Sequence, residues 1–395
     1  GGGLINNEVR QFAQIARTLQ PNIIISSRIG DDVEPTAANR EMLFDFFTPS
    51  DNYFTGDDLS IPWEMVGTTN GSWGFRKDDH EWRKADQILH SLVSTASRNG
   101  NYMLNVGPTG AGQIPAKAAE QLRRAGEWLE VNGNAVFGAT GSPFPWNYDW
   151  GYVTEKPKTL FLSVFNWPEN DSIDLSGLLS SVDDVRVLES GEALSFRQDD
   201  RQLSIDLSGL QAKDLATVIA VKHNDPNTRI DPLIAQARDG SIRLDRIAGT
   251  YIENDEIMSW KFRVETPGDF TIEVISNEKG RHTNPVWTGS EQEGSIQVAG
   301  QIIPFTLSRD RQTVSSSLFF YQEITSNAGE INIPRAGTYT LHLKGFEINA
   351  GKWAPGLGLS HIRLVRSNIG MAVSRRSQGE QRQKKRAVAD FQGQL

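Results

Sequence analysis

The 395-residue sequence predicts an α/β segment followed by an all-β remainder. Three observations predict this. Strand-like and helix-like runs alternate over residues 1–135. Helical periodicity stops near Gly138. A second series of short strands resumes at about residue 241. At roughly 100–200 residues per domain, the length fits two to four domains.

Val9, Phe12, Ala13, Ala16 and Leu19 recur at helical spacing, and Pro21 punctuates the end. Ile23-Ile24-Ile25-Ser26 is a continuous β-branched run, the pattern of a strand buried on both faces. Trp82, Ala85, Ile88, Leu89, Leu92, Val93 and Ala96 outline an amphipathic helix over residues 82–98, ended by Gly100. Tyr102 to Val106 form the next strand, closed by Gly107-Pro108. Pro115 then suits the first turn of a helix carrying Leu122, Ala125, Trp128 and Leu129. Strand then helix, repeated, implies a parallel sheet or barrel.

From residue 139 to 223 the runs are short and strand-like: Thr159–Phe165, Val185–Leu188, Leu203–Leu207 and Ala216–Val221. Regular strands without helices predict an antiparallel β-sandwich. Residues 224–240, with Asn224-Asp225-Pro226-Asn227, read as a linker. Residues 241–367 predict a second sandwich, with Thr266-Pro267-Gly268-Asp269 turning between two alternating strands. Residues 368–395 lose periodicity and read as a disordered basic tail.

Composition narrows the function. There is no cysteine, which excludes disulfides, thiol nucleophiles and Cys-ligated zinc. His80 and His90 stand ten apart, not at zinc-ligand spacing, and no Gly-rich phosphate loop occurs, so neither metal nor cofactor is expected. Net charge is −9. From Arg366 onward there are 7 basic and 2 acidic residues, which leaves −14 on residues 1–365. A body that acidic argues against nucleic acid. No apolar run approaches the roughly 18–20 residues of a membrane span, so no membrane partner is expected.

Trp, Arg, Asp and Asn crowd the loops after the strands of the first segment. In α/β barrels that end of the strands carries the active site. Flat rings beside carboxylates and amides suit sugars, the ring on C–H faces and the polar groups on hydroxyls. The stretch Leu19 to Gly30, Ile61-Pro62-Trp63-Glu64-Met65, Thr68 to Phe75, Asn99 to Pro108, and Glu127 to Gly133 with Val136-Phe137-Gly138 together resemble glycoside hydrolase family 29, the retaining α-L-fucosidases. The likeness covers residues 1–223.

The resemblance implies that residues 1–138 are the C-terminal part of a (β/α)8-like (TIM) barrel, followed by the family's β-sandwich. It implies hydrolysis of terminal α-L-fucosyl residues from a fucosylated oligosaccharide or polysaccharide, by a protein that is secreted or periplasmic. Arg28 matches the fucose-contacting arginine, and Trp73 an aromatic that packs on the C6 methyl. The family's nucleophile Asp is expected just before Gly1, so this chain alone is expected to be inactive. Ser50 stands at the family's Glu position, which makes Asp51 the candidate acid/base, with Glu64 and Glu34 behind it. Asn105 reads as a loop-fixing amide. The alternative function is an inactive glycan-binding protein that acts through the last sandwich and aromatics such as Trp260, Trp287 and Trp353.

Overall fold

The computed structural model describes residues 2–30, 43–49, 51, 61–252, 256–279, 292–314, 321–348 and 357–367. Glu34, Ser50, Trp287, Trp353 and the expected tail lie outside them. The fold is mixed, with three helices and mostly sheet among the described residues.

Helix α1 (Gly2–Leu19) buries Val9 and Ala13 against Ile25, Leu43 and Phe44. Phe12 and Leu19 remain exposed at 63% and 77%, so its apolar arc is wider than the surface it covers. Strands β1 (Trp63–Thr68) and β2 (Gly100–Asn105) pair in parallel, Trp63 opposite Gly100 and Thr68 opposite Asn105. Two further extended segments extend this sheet by single parallel bridges, Ser26 to Phe46 and Phe47 to Trp63. Four parallel segments therefore lie side by side in chain order. The Ile23–Ser26 run is not buried on both faces: Ile25 is buried, but Ile24 is 74% exposed. Among the described residues its backbone pairs on one side only.

Helices α2 (Ala85–Ala96) and α3 (Ala116–Asn132) pack on each other, and α2 packs on β2. Gln87 and Gln121 cap the start of α2, accepting from the Lys84 and Ala85 amides at 3.0 Å each. Pro115 stands one residue earlier than expected, as the N-cap of α3. The α2–α3 layer continues into the β-rich part. Leu89, Val93 and Trp128 share a core with Phe161 and Val218, and the Trp128 indole donates to the Ala216 carbonyl at 2.7 Å.

The next strands are β3 (Gly151–Lys156), β4 (Thr159–Val164), β5 (Ser172–Ser176), β6 (Val182–Val187), β7 (Phe196–Asp199), β8 (Gln202–Asp206) and β9 (Thr217–His223). They form two antiparallel sheets, β3-β4-β9-β6 and β5-β8-β7. Strands β10 (Ile234–Ala235), β11 (Ile242–Asp245), β12 (Thr250–Ile252), β13 (Ile257–Val264), β14 (Gly268–Lys279), β15 (Glu293–Val298), β16 (Gln301–Thr306), β17 (Arg311–Val314), β18 (Tyr321–Ile333), β19 (Gly337–Lys344) and β20 (Leu359–Arg366) follow. They build a six-stranded sheet, β10-β13-β19-β15-β16 with β12 on β13, and a five-stranded sheet, β11-β20-β14-β18-β17. Alternate residues of both sheets, among them Trp260, Phe262, Leu341, Phe270, Ile272 and Leu364, pool in one apolar cluster. That cluster is continuous with Phe144, Trp146 and Leu162 of the preceding sheets. The pairing is antiparallel except at β10, which joins β13 in parallel. β10 comes from the segment expected to be a linker, and it enters the sheet from the side of the preceding strands.

Candidate active site

Arg28, Asp51 and Trp73 each follow the C-terminal end of one of the four parallel segments, and Asn105 ends the last of them. Ser26 begins the turn that carries Arg28, and its hydroxyl accepts from the Arg28 amide. Ser27 and Thr48 tie the first two segments together. The Ser27 hydroxyl accepts from the Thr48 amide at 2.9 Å, and the Ser26 and Thr48 hydroxyls lie 2.9 Å apart. This lacing brings Arg28 and Asp51 into contact. The guanidinium donates to the Pro49 carbonyl at 2.7 Å and pairs with the Asp51 carboxylate at 2.5 Å. Both side chains keep about four-tenths of their surface accessible, 44% for Arg28 and 38% for Asp51. They are held together yet open to a solute.

Glu64, the second residue of β1, lies near the start of that strand, yet its carboxyl feels the charge of the same guanidinium. Burial pushes its carboxyl above the usual range, and Arg28 pulls in the opposite direction. Trp63 belongs to the packing: it is fully buried, and its indole donates to the Arg98 carbonyl at 2.9 Å. Trp73 sits on the loop after β1, half-buried, with a left-handed backbone (φ 62°). Asn105, at the end of β2, donates to the Trp73 carbonyl at 2.8 Å. The structure therefore brings Arg28 and Asp51 together, leaves Glu64 near the start of β1 among the residues lining a cavity there, and places Trp73 on a separate loop. A cavity of about 580 Å³ lies toward the opposite ends of the segments, lined by Arg17, Ile24, Asp45, Pro62 and Asn101 among others. In barrel architectures that end serves stability.

Residues 5–134 match the family model described as alpha-L-fucosidase. That segment, about a third of the chain, is similar to the alpha-L-fucosidases. The mouse tissue alpha-L-fucosidase is 35% identical over 147 residues, 35% of this chain and 32% of the mouse protein. The human tissue alpha-L-fucosidase is 32% identical over 159 residues, 38% of this chain and 33% of the human protein. The chain thus spans about a third of the length of these relatives. The crystal structure of an alpha-L-fucosidase from Vibrio sp. strain EJY3 superposes with a TM-score of 0.83 at 26% identity, covering 91% of this chain and 64% of that one. That coverage runs past residue 223 and takes in the last two sheets.

Within the segment that matches the family model, sequence reasoning gave no role to Asn70, which is 1% exposed and bonded to both sides of the Trp73 loop. The signal was its place, two residues past the end of a strand beside Gly71. It also passed over Ser26, Ser27 and Thr48, whose hydroxyls set the Arg28–Asp51 spacing. Trp260 is 1% exposed and donates to the Asp245 carbonyl at 2.6 Å, so it is core and cannot meet a glycan. This removes one of the aromatics on which the glycan-binding alternative relied.

Proposed function

We propose that the protein is an exo-acting, retaining α-L-fucosidase that removes terminal α-L-fucosyl residues from exported or extracellular fucosylated glycans. Its fold would be the C-terminal part of a (β/α)8-like barrel joined to two β-sandwich domains, with the boundaries given above. The supporting observation is the Arg28–Asp51 pair at the C-terminal ends of the parallel segments, inside the residues that match the family model.

In this reading the Arg28 fork engages adjacent sugar oxygens, which a planar guanidinium suits better than an ammonium. Trp73 packs on the C6 methyl. Asp51 gives a proton to the departing glycosidic oxygen, then takes one from the water that releases fucose. Retention needs a second carboxylate about 5–5.5 Å away, attacking C1 from the other face. That nucleophile is assigned to no residue of this chain, so the chain alone is expected not to turn over.

The test compares Asp51→Asn with the unaltered full-length protein on p-nitrophenyl α-L-fucoside and on a fucosylated oligosaccharide. p-Nitrophenolate departs without a proton, whereas a sugar alkoxide does not. Asp51→Asn should therefore lower kcat/KM, which reports the first step, roughly 10²–10⁴-fold on the oligosaccharide and far less on the aryl fucoside. Equal losses on both would move the acid to another carboxyl, with Glu64 next. No fucose release by the unaltered protein would end the fucosidase reading.

A further inference from the structure

Trp73 is the one aromatic among the described non-glycine residues with left-handed backbone. For a bulky side chain that conformation is strained and persists only where its surroundings impose it. Here the constraint is a closed relay of side chains. The Asn105 amide donates both to the Trp73 carbonyl at 2.8 Å and to the Thr68 hydroxyl at 3.0 Å. Thr68 donates to the Asn70 carbonyl oxygen at 3.1 Å. The Asn70 amide donates to the Gly74 carbonyl at 2.9 Å and to the Ser72 hydroxyl at 3.1 Å. Two successive carbonyls, of Trp73 and Gly74, are thus gripped from one relay anchored in β1 and β2.

Two further contacts tighten it. Asp79 accepts from the Ser72 hydroxyl at 2.5 Å and from the Glu81 amide at 3.1 Å, which folds the outer part of the loop back. Gly107 lets the Trp73–Gly74 peptide lie directly on the chain after β2. A Cβ there would stand 2.9 Å from the Trp73 carbonyl oxygen and 2.8 Å from the Gly74 carbonyl carbon. Thr68 and Asn70 are 0% and 1% exposed, so the relay is shielded from competing water.

We propose that Asn70 and Asn105 are positioning residues that hold Trp73 in its left-handed conformation, and so fix the direction in which its indole meets a ligand. The function of that indole rests on the fucosidase reading; its constraint by the relay does not. Left alone, residues 70–75 would relax to a conformation ordinary for tryptophan, and the ring would move with its Cα–Cβ bond.

The experiment has two arms on the full-length protein. The first reads acrylamide quenching of Trp73, taken as the difference from a Trp73→Phe counterpart. Asn70→Asp, which keeps the acceptor and loses the donor, and Asn105→Asp should each raise it about twofold or more. Trp73→Gly should raise the melting temperature by a few degrees, because glycine is at ease at that φ. Unchanged quenching in both Asp variants overturns the proposal, whether or not the protein cleaves fucosides. The second arm is a double-mutant cycle in kcat/KM on the aryl fucoside. Asn70→Asp should cost roughly 10–100-fold. In a Trp73→Ala background it should cost almost nothing further. Losses that multiply would show that Asn70 acts independently of Trp73 and would also overturn the proposal.

Discussion

Replacing His90 with phenylalanine should flatten the acid dependence of this protein's stability. The imidazole lies on the buried face of α2, 6% exposed. Its centroid is 3.9 Å from that of Phe165 and 5.7 Å from that of Tyr152, which it meets edge-on. Its Nδ1 has no hydrogen-bond partner. Burial disfavours the cation and pushes the pKa from 6.5 down to about 4. In the unfolded chain it returns to about 6.5. Between these values the unfolded state binds a proton that the folded state refuses. Stability is therefore full above pH ~6.5, falls as pH drops through the window from about 6.5 to 4, and levels off below it. A gap of about 2.5 pH units at about 1.4 kcal/mol each makes the full loss about 3.5 kcal/mol, of which about 3 kcal/mol is reached at pH 4. Urea unfolding between about pH 4 and 8 measures it, as the difference between the unaltered chain and His90→Phe. His361, also held neutral by burial at about 3, titrates alike in both proteins and cancels in the difference. The difference should change by about 3 kcal/mol across the window, and a difference independent of pH would refute the reasoning.

Three structural predictions accompany it. Gly100→Ala places a Cβ 2.4 Å from the buried Trp63 ring and 2.8 Å from Thr95, so thermal unfolding should show a loss of about 1–3 kcal/mol from overpacking. Trp128→Phe keeps a ring but orphans the Ala216 carbonyl, and denaturant titration should show a loss of about 1–2 kcal/mol. Arg243 pairs with Asp245 at 3.0 Å and Asp149 at 2.6 Å, so Arg243→Leu should cost about 3 kcal/mol; Asp149 is half-exposed, which keeps the loss at the low end for a broken buried pair. The double variant Arg243→Leu/Asp245→Leu should cost less than that single change, read by the same denaturant titration.

The elements were legible wherever a period was sustained. Leu89, Val93 and Trp128 face the core from helices that their spacing outlines, and the alternation in Trp260-Lys261-Phe262-Arg263-Val264 places every second side chain in the apolar cluster. The candidate site was legible residue by residue, since Arg28 and Trp73 stand in recognisable strings. Its geometry was not. The contact between Arg28 and Asp51 depends on hydroxyls of Ser26, Ser27 and Thr48, and small polar residues in turns carry no periodic signal. Asn70 escaped for the same reason: its role comes from Thr68, Gly74 and Asn105, the last of them 35 positions away in sequence and adjacent only once β1 and β2 pair.

Residues 224–240 show where composition misleads. Polar and turn-forming residues read as a linker because exposed chain is rich in them. The same residue types also suit a buried seam, provided each finds a partner. Asp231 is 8% exposed and pairs with Arg201, beyond the end of β7, at 3.1 Å and with Arg263 of β13 at 2.7 Å. Gln236 is 4% exposed; its amide donates to the Gly240 carbonyl, and its oxygen accepts from the Glu265 and Thr266 amides. A second set of bonds crosses nearby, where the Asn147 amide donates to the Asp245 carboxylate at 2.9 Å and Asp149 meets both Arg243 and Arg363. The buried carboxylates of this seam, Asp231 and Asp245, depend on partners from the other side, since removing those would leave them desolvated and unpaired. The apolar cluster that runs through the seam adds the same constraint from packing. The last two sheets are therefore joined to the preceding pair by groups that belong to both, which is how a polar segment can form a packed seam.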